Sequence, residues 1–416
     1  MRQIDPASIT KSNTVSVWVL DFRCTSQDRL FFNGYQTWTV SHELKPTDRL
    51  PAIHPVIRSL GFPYGTQKYG DEFFIDYSGR QGCFHGFSYM YKRRGDVYTL
   101  VASTDETNGY TIFYYDAAVG ELKVVKDAGI GPDYDPALHI AIFEGTEDEV
   151  FDAWFAAAGI KRRPAEPMAG YTSWYNRFDK ITDETISEDL QGCSRVLEPG
   201  DLFQIDDGWQ TAVGDWRVDT EKFPRGLRAS VEDIHSCGFK AGLWLAPFAA
   251  QASSDLVKDH PDWLLMHRAM DLLRDWCGDG MILGCGVPLM PAFGKVEYCR
   301  IGCDASLNWE NTPLMRQVNR EIVSTRNAIG DTYFRRQLDG RAFLNDPDVF
   351  FLRKDNIKLT EEEKAVHARV LAQYGSFFLT SDNMGDYDEE QLSRYREYRR
   401  LWNAKDWDSR DFLSLL

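Results

Sequence analysis

The chain has 416 residues, of which 43% are hydrophobic and 26% charged. This balance is typical of a globular protein and excludes disordered, collagen-like and low-complexity chains. The formal net charge of −16 repels phosphate backbones, so nucleic acid is not an expected partner. The apolar run around residues 241–250 is far shorter than the ~20 residues of a membrane span, so no membrane association is expected. The opening segment MRQIDPASITKSN has no apolar core of the kind that secretory signals carry.

Eight cysteines in 416 residues are too dilute for a disulfide scaffold. Their spacing lacks the paired C-x₂₋₄-C units of structural zinc sites. We therefore predict reduced thiols in a cytoplasmic protein and no bound metal. A Ser-His-Asp hydrolase has no support either, because the sequence contains no G-x-S-x-G segment.

Residues 1–160 are predicted to form a β-sandwich domain. Aromatic and β-branched runs alternate there with Gly, Asp and Asn clusters, a spacing typical of all-β sandwiches. The predicted strands are 15–22, 72–77, 97–103, 110–115 and 122–125.

Residues 165–404 are predicted to alternate short apolar strands with amphipathic helices, which indicates parallel βα units. The predicted strands are 169–175, 201–207, 240–248, 281–287, 296–303, 342–349 and 376–381, and the helices are 183–196, 230–237, 314–329, 361–374 and 389–404. Thr182 or Asp183 is a candidate cap of the first helix, and Thr360 precedes an acidic first turn. Seven strands fall one short of a closed (β/α)₈ barrel. A doubly wound sheet is less favoured, since no G-x-G-x-x-G follows the first strands.

Carboxylates and tryptophans occupy the predicted carboxyl ends of these strands, where barrel enzymes keep their active sites. Carboxylates accept hydrogen bonds from sugar hydroxyls, and indole faces cover the apolar faces of pyranose rings. The sequence therefore predicts a carbohydrate site. Its candidates are Trp174, Asp206, Asp207, Trp244, Cys285, Arg300, Asp304, Asp346, Asp348 and Asp382.

Each candidate also has a structural interpretation. Asp-Gly favours turns, so Asp206 and Asp207 could form an exposed turn, although the apolar LFQI before them favours a site. Tryptophans are often core residues, which leaves Trp174 and Trp244 open between the two roles. Arg300 and Asp304, four residues apart, could form a surface ion pair.

The segment NDPD (345–348) is a polar interruption between two apolar runs. Proline cannot donate to a strand ladder, so Pro347 is predicted to end the strand. A polar insertion between apolar runs is costly without a purpose, and a role in the site is therefore favoured for Asp348.

From about residue 33 to 404 the chain resembles glycoside hydrolase family 36, the melibiase-type α-galactosidases. The matching segments are NGYQTW (33–38), GYTSWYNRF (170–178), QIDDGWQ (204–210), GDWRVDTEKFPRGL (214–227), GFKAGLWLAPF (238–248), HPDWLL (260–265), ILGCGVPLMPAFG (282–294), CRIGCD (299–304), FLNDPDVFFLR (343–353) and TSDN (380–383). The resemblance implies an N-terminal β-supersandwich followed by a (β/α)₈-type TIM barrel. It also implies removal of terminal α-galactose with retention of configuration, without a metal or other cofactor.

The resemblance implies a role for each matching residue. Asp206 and Asp207 of DDGW would bind the galactose hydroxyls, and Asp304 of CRIGCD would be the general acid/base with Arg300 beside it. The remaining residues of the sugar pocket would be Trp174, Trp244, Cys285 and Asp348.

The family's nucleophile, the Asp of a K-x-D-F motif on barrel strand four, is not found in this sequence. HPDWLL is followed after Met266 by HRAMDLLRDWC, which resembles a later helix of the family. We therefore predict a barrel that lacks one βα unit near residues 266–268. We also predict that residues 405–416 are a tail and that the family's C-terminal β domain is absent.

The predicted function is an α-galactosidase-type hydrolase acting on α-galactoside oligosaccharides such as melibiose or raffinose. The alternatives are a related α-glycosidase, a raffinose-synthase-like galactosyl transferase, and an inactive sugar-binding relic, which the missing nucleophile favours. A homo-oligomer is also expected, because loops of the family's N-terminal domain, matched here by NGYQTW with Trp38, reach a neighbour's site.

Overall fold

The computed structural model describes residues 2–4, 17–53, 70–107, 109–127, 137–247, 249, 251, 254–255, 269–310 and 320–416. The chain divides into two compact units. The first comprises residues 1–165, 282–345 and 410–416, and the second comprises residues 166–281 and 346–409. The predicted deletion point at 266–268 lies outside the described residues.

The first unit contains two antiparallel sheets. One has the order β1-β9-β6-β5-β3 and the other the order β2-β8-β7-β4. Their strands are β1 (Arg2–Ile4), β2 (Val17–Asp21), β3 (Arg29–Phe32), β4 (Cys83–Phe87), β5 (Tyr89–Arg94), β6 (Val97–Ser103), β7 (Thr111–Asp116), β8 (Glu121–Lys126) and β9 (Ile140–Gly145). Large side chains from both sheets, such as Phe32, Met90, Phe113 and Leu122, form one buried core. The first unit therefore contains two antiparallel sheets packed around a shared core.

Residues 72–77 were predicted to be a strand, and this prediction is wrong. The structure has a 3-10 helix at Asp71–Phe73 followed by irregular backbone. Asp71 is 2% exposed, and its Oδ1 accepts the backbone N–H of Tyr35 at 2.7 Å and Thr39 Oγ1 at 2.9 Å. Tertiary contacts of this acid outweigh the β propensity of the aromatic residues after it.

A helix that the sequence analysis missed, α1 (Glu147–Ala157), follows β9. It begins with a capping box between Thr146 and Glu149, which satisfies two of the orphan backbone donors at its start. Trp154 lies on its buried face and donates from Nε1 to the carbonyl of Ser103 at 2.7 Å. This helix therefore covers the sheet that contains β6.

The second unit is built on a sheet with the order β12-β11-β10-β17-β16, and its paired strands run parallel. The strands are β10 (Met168–Thr172), β11 (Leu202–Ile205), β12 (Lys240–Leu243), β16 (Val349–Phe350) and β17 (Phe377–Thr380). Its helices are α2 (Trp174–Arg177), α3 (Asp183–Cys193), α4 (Leu227–Ser236), α5 (Ala269–Cys277), α8 (Glu361–Tyr374) and α9 (Glu389–Ala404). Strand and helix side chains share one core that includes Tyr171, Phe203, Phe378 and Trp402.

A further sheet has the order β13-β14-β15, in which β13 and β14 run parallel. These strands are β13 (Leu283–Gly284), β14 (Tyr298–Arg300) and β15 (Leu344–Asp346), and the helices α6 (Leu289–Ala292) and α7 (Thr325–Phe334) lie in the same part of the chain. Each of the seven predicted barrel strands overlaps an observed strand. Among the described residues, however, they pair as two sheets rather than as one closed set.

The helix predictions from capping are confirmed. Thr182 caps α3 by accepting the N–H of Thr185, and Thr360 forms a capping box with Glu363 at the start of α8. The helix predicted at 314–329 overlaps the observed α7 (Thr325–Phe334) only at residues 325–329. Residues 320–324 are turn or irregular backbone, and residues 314–319 lie outside the described residues. No helix in the described ranges combines the length and the apolar character that crossing a membrane requires.

Candidate functional site

The second unit presents Asp206 and Asp207 directly after the carboxyl end of β11. Asp206 is 8% exposed. Its Oδ2 accepts hydrogen bonds from Thr172 Oγ1 at 2.9 Å and Gln204 Nε2 at 2.8 Å. Its backbone N–H donates to Ser173 Oγ at 3.0 Å. A buried carboxylate needs such donors, and neighbouring strand ends supply them here.

Asp207 is half-buried. Its backbone N–H donates to Oδ1 of Asp206 at 2.8 Å, and its own Oδ1 accepts from Gln210 Nε2 at 2.5 Å. The turn after it depends on Gly208, whose φ of 110° is one that L side chains rarely adopt. The predicted Asp-Gly turn is therefore present. It is not an exposed, solvated loop, because hydrogen bonds orient both of its carboxylates.

The strand register brings two predicted tryptophans to the same level of this sheet. Thr172 pairs with Gln204, and Gln204 pairs with Gly242. Trp174 and Trp244 each lie two residues beyond this row, as Asp206 does. Both tryptophans are half-buried. Trp174 was predicted as part of the strand 169–175, but the strand ends at Thr172 and Trp174 begins α2.

Trp244 belongs to an aromatic cluster. Its carbonyl accepts the indole N–H of Trp209 at 2.9 Å, and its ring meets the ring of Trp216 edge-on, with centroids 6.2 Å apart. Trp216 was not among the predicted site residues, although it lies within the matching segment GDWRVD (214–219). Its ring orients the Trp244 ring through an edge-on contact that aromatic pairs favour.

Asp348 lies in the short connection between β15 and β16 and not at the end of one continuous strand. The strand predicted at 342–349 is broken there, because Pro347 cannot donate to the ladder. Asp348 is 3% exposed and has a φ of 74°, a left-handed conformation that is uncommon outside glycine and costs ~1–3 kcal/mol. Its backbone N–H donates to Oδ1 of Asp346 at 2.8 Å.

Tyr175, which the sequence analysis missed, donates from its hydroxyl to Oδ2 of Asp348 at 3.3 Å. The residue is 8% exposed, and its backbone N–H donates to Ser381 Oγ at 2.8 Å. Its position directly after Trp174 in the segment SWYN (173–176) was the available indication. Tyr175 therefore links α2, which begins at Trp174, to the turn that carries Asp348.

Asp382 was predicted at the site, but its environment indicates a structural role. Its Oδ1 accepts Arg353 Nε at 2.7 Å, and its Oδ2 accepts the Tyr387 hydroxyl at 2.9 Å and the backbone N–H of Leu352 at 2.5 Å. The side chain is 0% exposed. These donors occupy the carboxylate, so Asp382 anchors the segment after β16 instead of offering oxygens to a ligand.

The first unit holds the three other predicted residues. Cys285 is exposed directly after β13. Arg300, the last residue of β14, is 9% exposed, and its Nη1 lies 3.0 Å from Oδ1 of Asp304. The Asp304 side chain is 32% exposed. The pair is therefore partly buried at a strand end, unlike a pair on an open surface.

No group of three or more His, Cys, Asp or Glu side chains within the described ranges has an arrangement that could hold a metal ion. A cavity of about 230 Å³ lies in the first unit. It is lined by ion pairs such as Arg93 with Glu43 and Arg336 with Glu147. The predicted site residues do not line it.

Residues 177–276 match the family model described as Melibiase. This range contains Asp206, Asp207 and Trp244. Trp174, Cys285, Arg300, Asp304 and Asp348 lie outside it.

Curated relatives match over short segments. "Alpha-galactosidase 1" of Pediococcus pentosaceus is 40% identical over 72 residues, which are 16% of this chain and 10% of that protein. "Alpha-galactosidase" of Escherichia coli is 40% identical over 84 residues, which are 18% of this chain and 12% of that protein. The aligned segments thus span about a tenth of the length of these relatives.

Solved structures match over almost the whole chain. The α-galactosidase of Thermus thermophilus in complex with stachyose superposes with a TM-score of 0.76 at 22% identity, covering 94% of this chain and 95% of that one. AgaA of Geobacillus stearothermophilus gives a TM-score of 0.53 at 12% identity, covering 93% of this chain and 62% of that one. At these identities the similarity establishes a glycoside hydrolase fold and nothing finer.

Proposed function

We propose that this chain, which belongs to the melibiase-type α-galactosidase family, binds terminal α-galactose of oligosaccharides and hydrolyses its glycosidic bond. The observation that carries the proposal is the pair Asp206 and Asp207 after β11, inside the segment that matches the family model. Adjacent oriented carboxylates suit vicinal sugar hydroxyls, which donate in pairs.

Asp207 is the better placed of the two to contact the sugar. Donors from Thr172 and Gln204 already occupy Oδ2 of Asp206, whereas Asp207 is half-buried and Gln210 orients its Oδ1. Trp174 and Trp244, at the same level of the sheet, offer half-buried indole surface for the apolar face of a pyranose. In this proposal Asp206 therefore positions Asp207 and the tryptophans flank the sugar.

Asp304 is the proposed general acid/base, with Arg300 as its partner at 3.0 Å. A retaining glycosidase needs a second carboxyl group as nucleophile, and the K-x-D-F motif that supplies it in the family is absent from the sequence. We propose that a βα unit is missing from the barrel near residues 266–268. The homo-oligomer and the cytoplasmic location also stay predictions of the sequence.

The absent K-x-D-F motif favours a second candidate function, which is binding of galactose without turnover. Two measurements separate the candidates. Calorimetric titration with galactose reports binding, and release of nitrophenol from p-nitrophenyl α-galactoside reports hydrolysis. Binding with hydrolysis supports the enzyme, and binding without hydrolysis supports the sugar-binding protein.

The p-nitrophenyl α-glucoside and N-acetyl-α-galactosaminide serve as matched substrates. Preference for either one contradicts the galactose assignment.

Asp207→Asn is expected to weaken galactose binding about 10- to 100-fold, since a hydrogen bond to a charged acceptor is lost. Asp215→Asn is the control, because Asp215 lies in the same unit and its Oδ2 accepts the backbone N–H of Asp255.

A further inference from the structure

The loop formed by residues 33–41, which includes NGYQTW, is held by one fully buried arginine of the same unit. Arg335 is 0% exposed and follows the last residue of α7. Its Nη1 donates to the carbonyl of Thr37 at 2.6 Å, and its Nη2 donates to the carbonyl of Thr39 at 3.0 Å and to Ser41 Oγ at 2.7 Å. A buried guanidinium is costly unless its donors are satisfied, and this loop supplies the acceptors.

Three buried acids hold the backbone amides of the same loop. Asp71 accepts the N–H of Tyr35 at 2.7 Å, Glu321 accepts that of Val40 at 2.5 Å, and Asp331 accepts that of Ser41 at 2.8 Å. Burial raises the pKa of Asp331 to about 8, and the nearby charge of Arg335 opposes that rise. Both the carbonyls and the amides of the loop are therefore fixed by buried polar side chains: the carbonyls by Arg335 and the amides by Asp71, Glu321 and Asp331.

The same guanidinium also reaches the segment that carries the proposed acid/base. Nη1 of Arg335 donates to the carbonyl of Ile301 at 2.7 Å, and Ile301 directly follows Arg300. The loop has a second link to the strand ends of this unit, because the N–H of Thr37 donates to the carbonyl of Val287 at 3.3 Å. Arg335 thus bonds two segments that are far apart in sequence through one rigid planar group.

We propose that Arg335 is a positioning residue, which locks loop 33–41 to the backbone between Arg300 and Asp304 and so fixes the placement of the Asp304 carboxylate. The proposal rests on the proposed function for its catalytic consequence. The lock itself is a property of the fold and can be measured without turnover.

Arg335→Lys tests the lock, since lysine keeps the charge but loses the planar fork that spans both segments. Arg341→Lys is the control. Arg341 lies in the same unit and its ion pairs to Asp148 and Asp152 of α1 do not involve the loop. Hydrogen exchange is followed in peptides covering 33–41, 298–305 and β6. We expect Arg335→Lys to speed hydrogen exchange about tenfold in each of the first two peptides and to leave exchange in β6 unchanged.

Faster exchange in the loop alone, in neither peptide, or equally in β6 would overturn the proposal. If Arg335→Lys does not fold, Ser41→Ala removes one acceptor of Arg335 Nη2 and is expected to speed exchange in both peptides by a smaller factor. A change confined to the loop in Ser41→Ala counts against the proposal.

Turnover gives the second readout. In a parent chain that hydrolyses p-nitrophenyl α-galactoside, Arg335→Lys is expected to lower kcat about 10- to 100-fold, because small displacements of a catalytic group are costly. KM should change less than about threefold, and Arg341→Lys should match the parent. An unchanged kcat overturns the positioning role. A parent without turnover contradicts the hydrolase function, while the exchange result still decides whether Arg335 couples the two segments.

Discussion

The hydroxyl of Tyr175 lies 3.3 Å from Oδ2 of Asp348, and so joins the helix after β10 to a turn with left-handed backbone. Asp348 has a φ of 74° in that turn. Strained residues of this kind persist only where surrounding contacts over-determine them. Here the contacts are the Tyr175 hydroxyl and the bond from the Asp348 N–H to Asp346.

Substitution at Asp348 should show how much the left-handed backbone and the bond to Tyr175 contribute to stability. Asparagine tolerates left-handed backbone and keeps an acceptor for Tyr175, so Asp348→Asn should leave the free energy of unfolding nearly unchanged. Asp348→Ala should lose about 1–2 kcal/mol, since alanine tolerates that φ poorly and removes the carboxylate that accepts the Tyr175 hydroxyl. Urea unfolding measures both, with the exposed Asp355→Ala as control. Equal stability of Asp348→Ala and Asp348→Asn would contradict this account.

Gly375, the residue directly after α8, packs against the same turn. A Cβ at this position would lie 2.4 Å from Cγ of Pro347, the residue before Asp348. Gly375→Ala should therefore push Pro347 and destabilise the chain by about 1–3 kcal/mol, as overpacking does. Gly385→Ala is a milder control, because its Cβ would first meet the Asn383 side chain at 3.1 Å. Equal melting temperatures for the two variants would show that the turn accommodates the methyl group.

The sequence predicted the regular elements best where local caps dominate. Thr360 with Glu363 and Asp388 with Gln391 form capping boxes, and the helices after them have the predicted bounds. The capping box at Thr146 could also be recognised from the sequence. Residues 147–157 were nevertheless interpreted as part of an all-β domain, because the elements before them are strands. Capping residues were therefore sufficient to predict where these two helices begin.

The site was predictable only in part, because its support is not local. Asp206 and Asp207 could be found from DDGW after an apolar run. Tyr175 bonds to Asp348 and Arg335 bonds to Thr37, across 173 and 298 positions of sequence. Local sequence patterns do not predict contacts over such separations. The break of the strand at NDPD needed the same information, because Pro347 predicts an interruption but not the short strand that follows it.

His367 should make the stability of the chain depend on pH. It is 0% exposed in α8, and its ring nitrogens have no hydrogen-bond partner among the described residues. Burial lowers the pKa of this imidazole to about 3, from about 6.5 in an unfolded chain. Between these values the unfolded chain binds a proton that the folded chain does not, so stability falls as the pH drops below about 6.5.

The size of this effect follows from the unfolded-state pKa. At pH 5 the folded chain should lose about 2 kcal/mol relative to neutral pH through His367 alone. His367→Leu should abolish that part of the loss, whereas His235→Leu, at an exposed position of α4, should not. Urea unfolding at pH 7 and pH 5 measures the difference. The same pH dependence in His367→Leu and in the parent would contradict the assignment.

Asp304 should be the proton donor of any glycosidase activity in this chain. Its carboxylate lies 3.0 Å from Nη1 of Arg300 and is partly exposed at a strand end, where a substrate can reach it. Protonation of the leaving oxygen matters most for poor leaving groups. Asp304→Asn should therefore abolish hydrolysis of melibiose, which releases a sugar, and impair release of nitrophenol from the aryl galactoside much less. Arg300→Lys, which keeps the positive charge, should retain more melibiose activity than Asp304→Asn. Melibiose turnover that survives Asp304→Asn unchanged would assign the proton to another group.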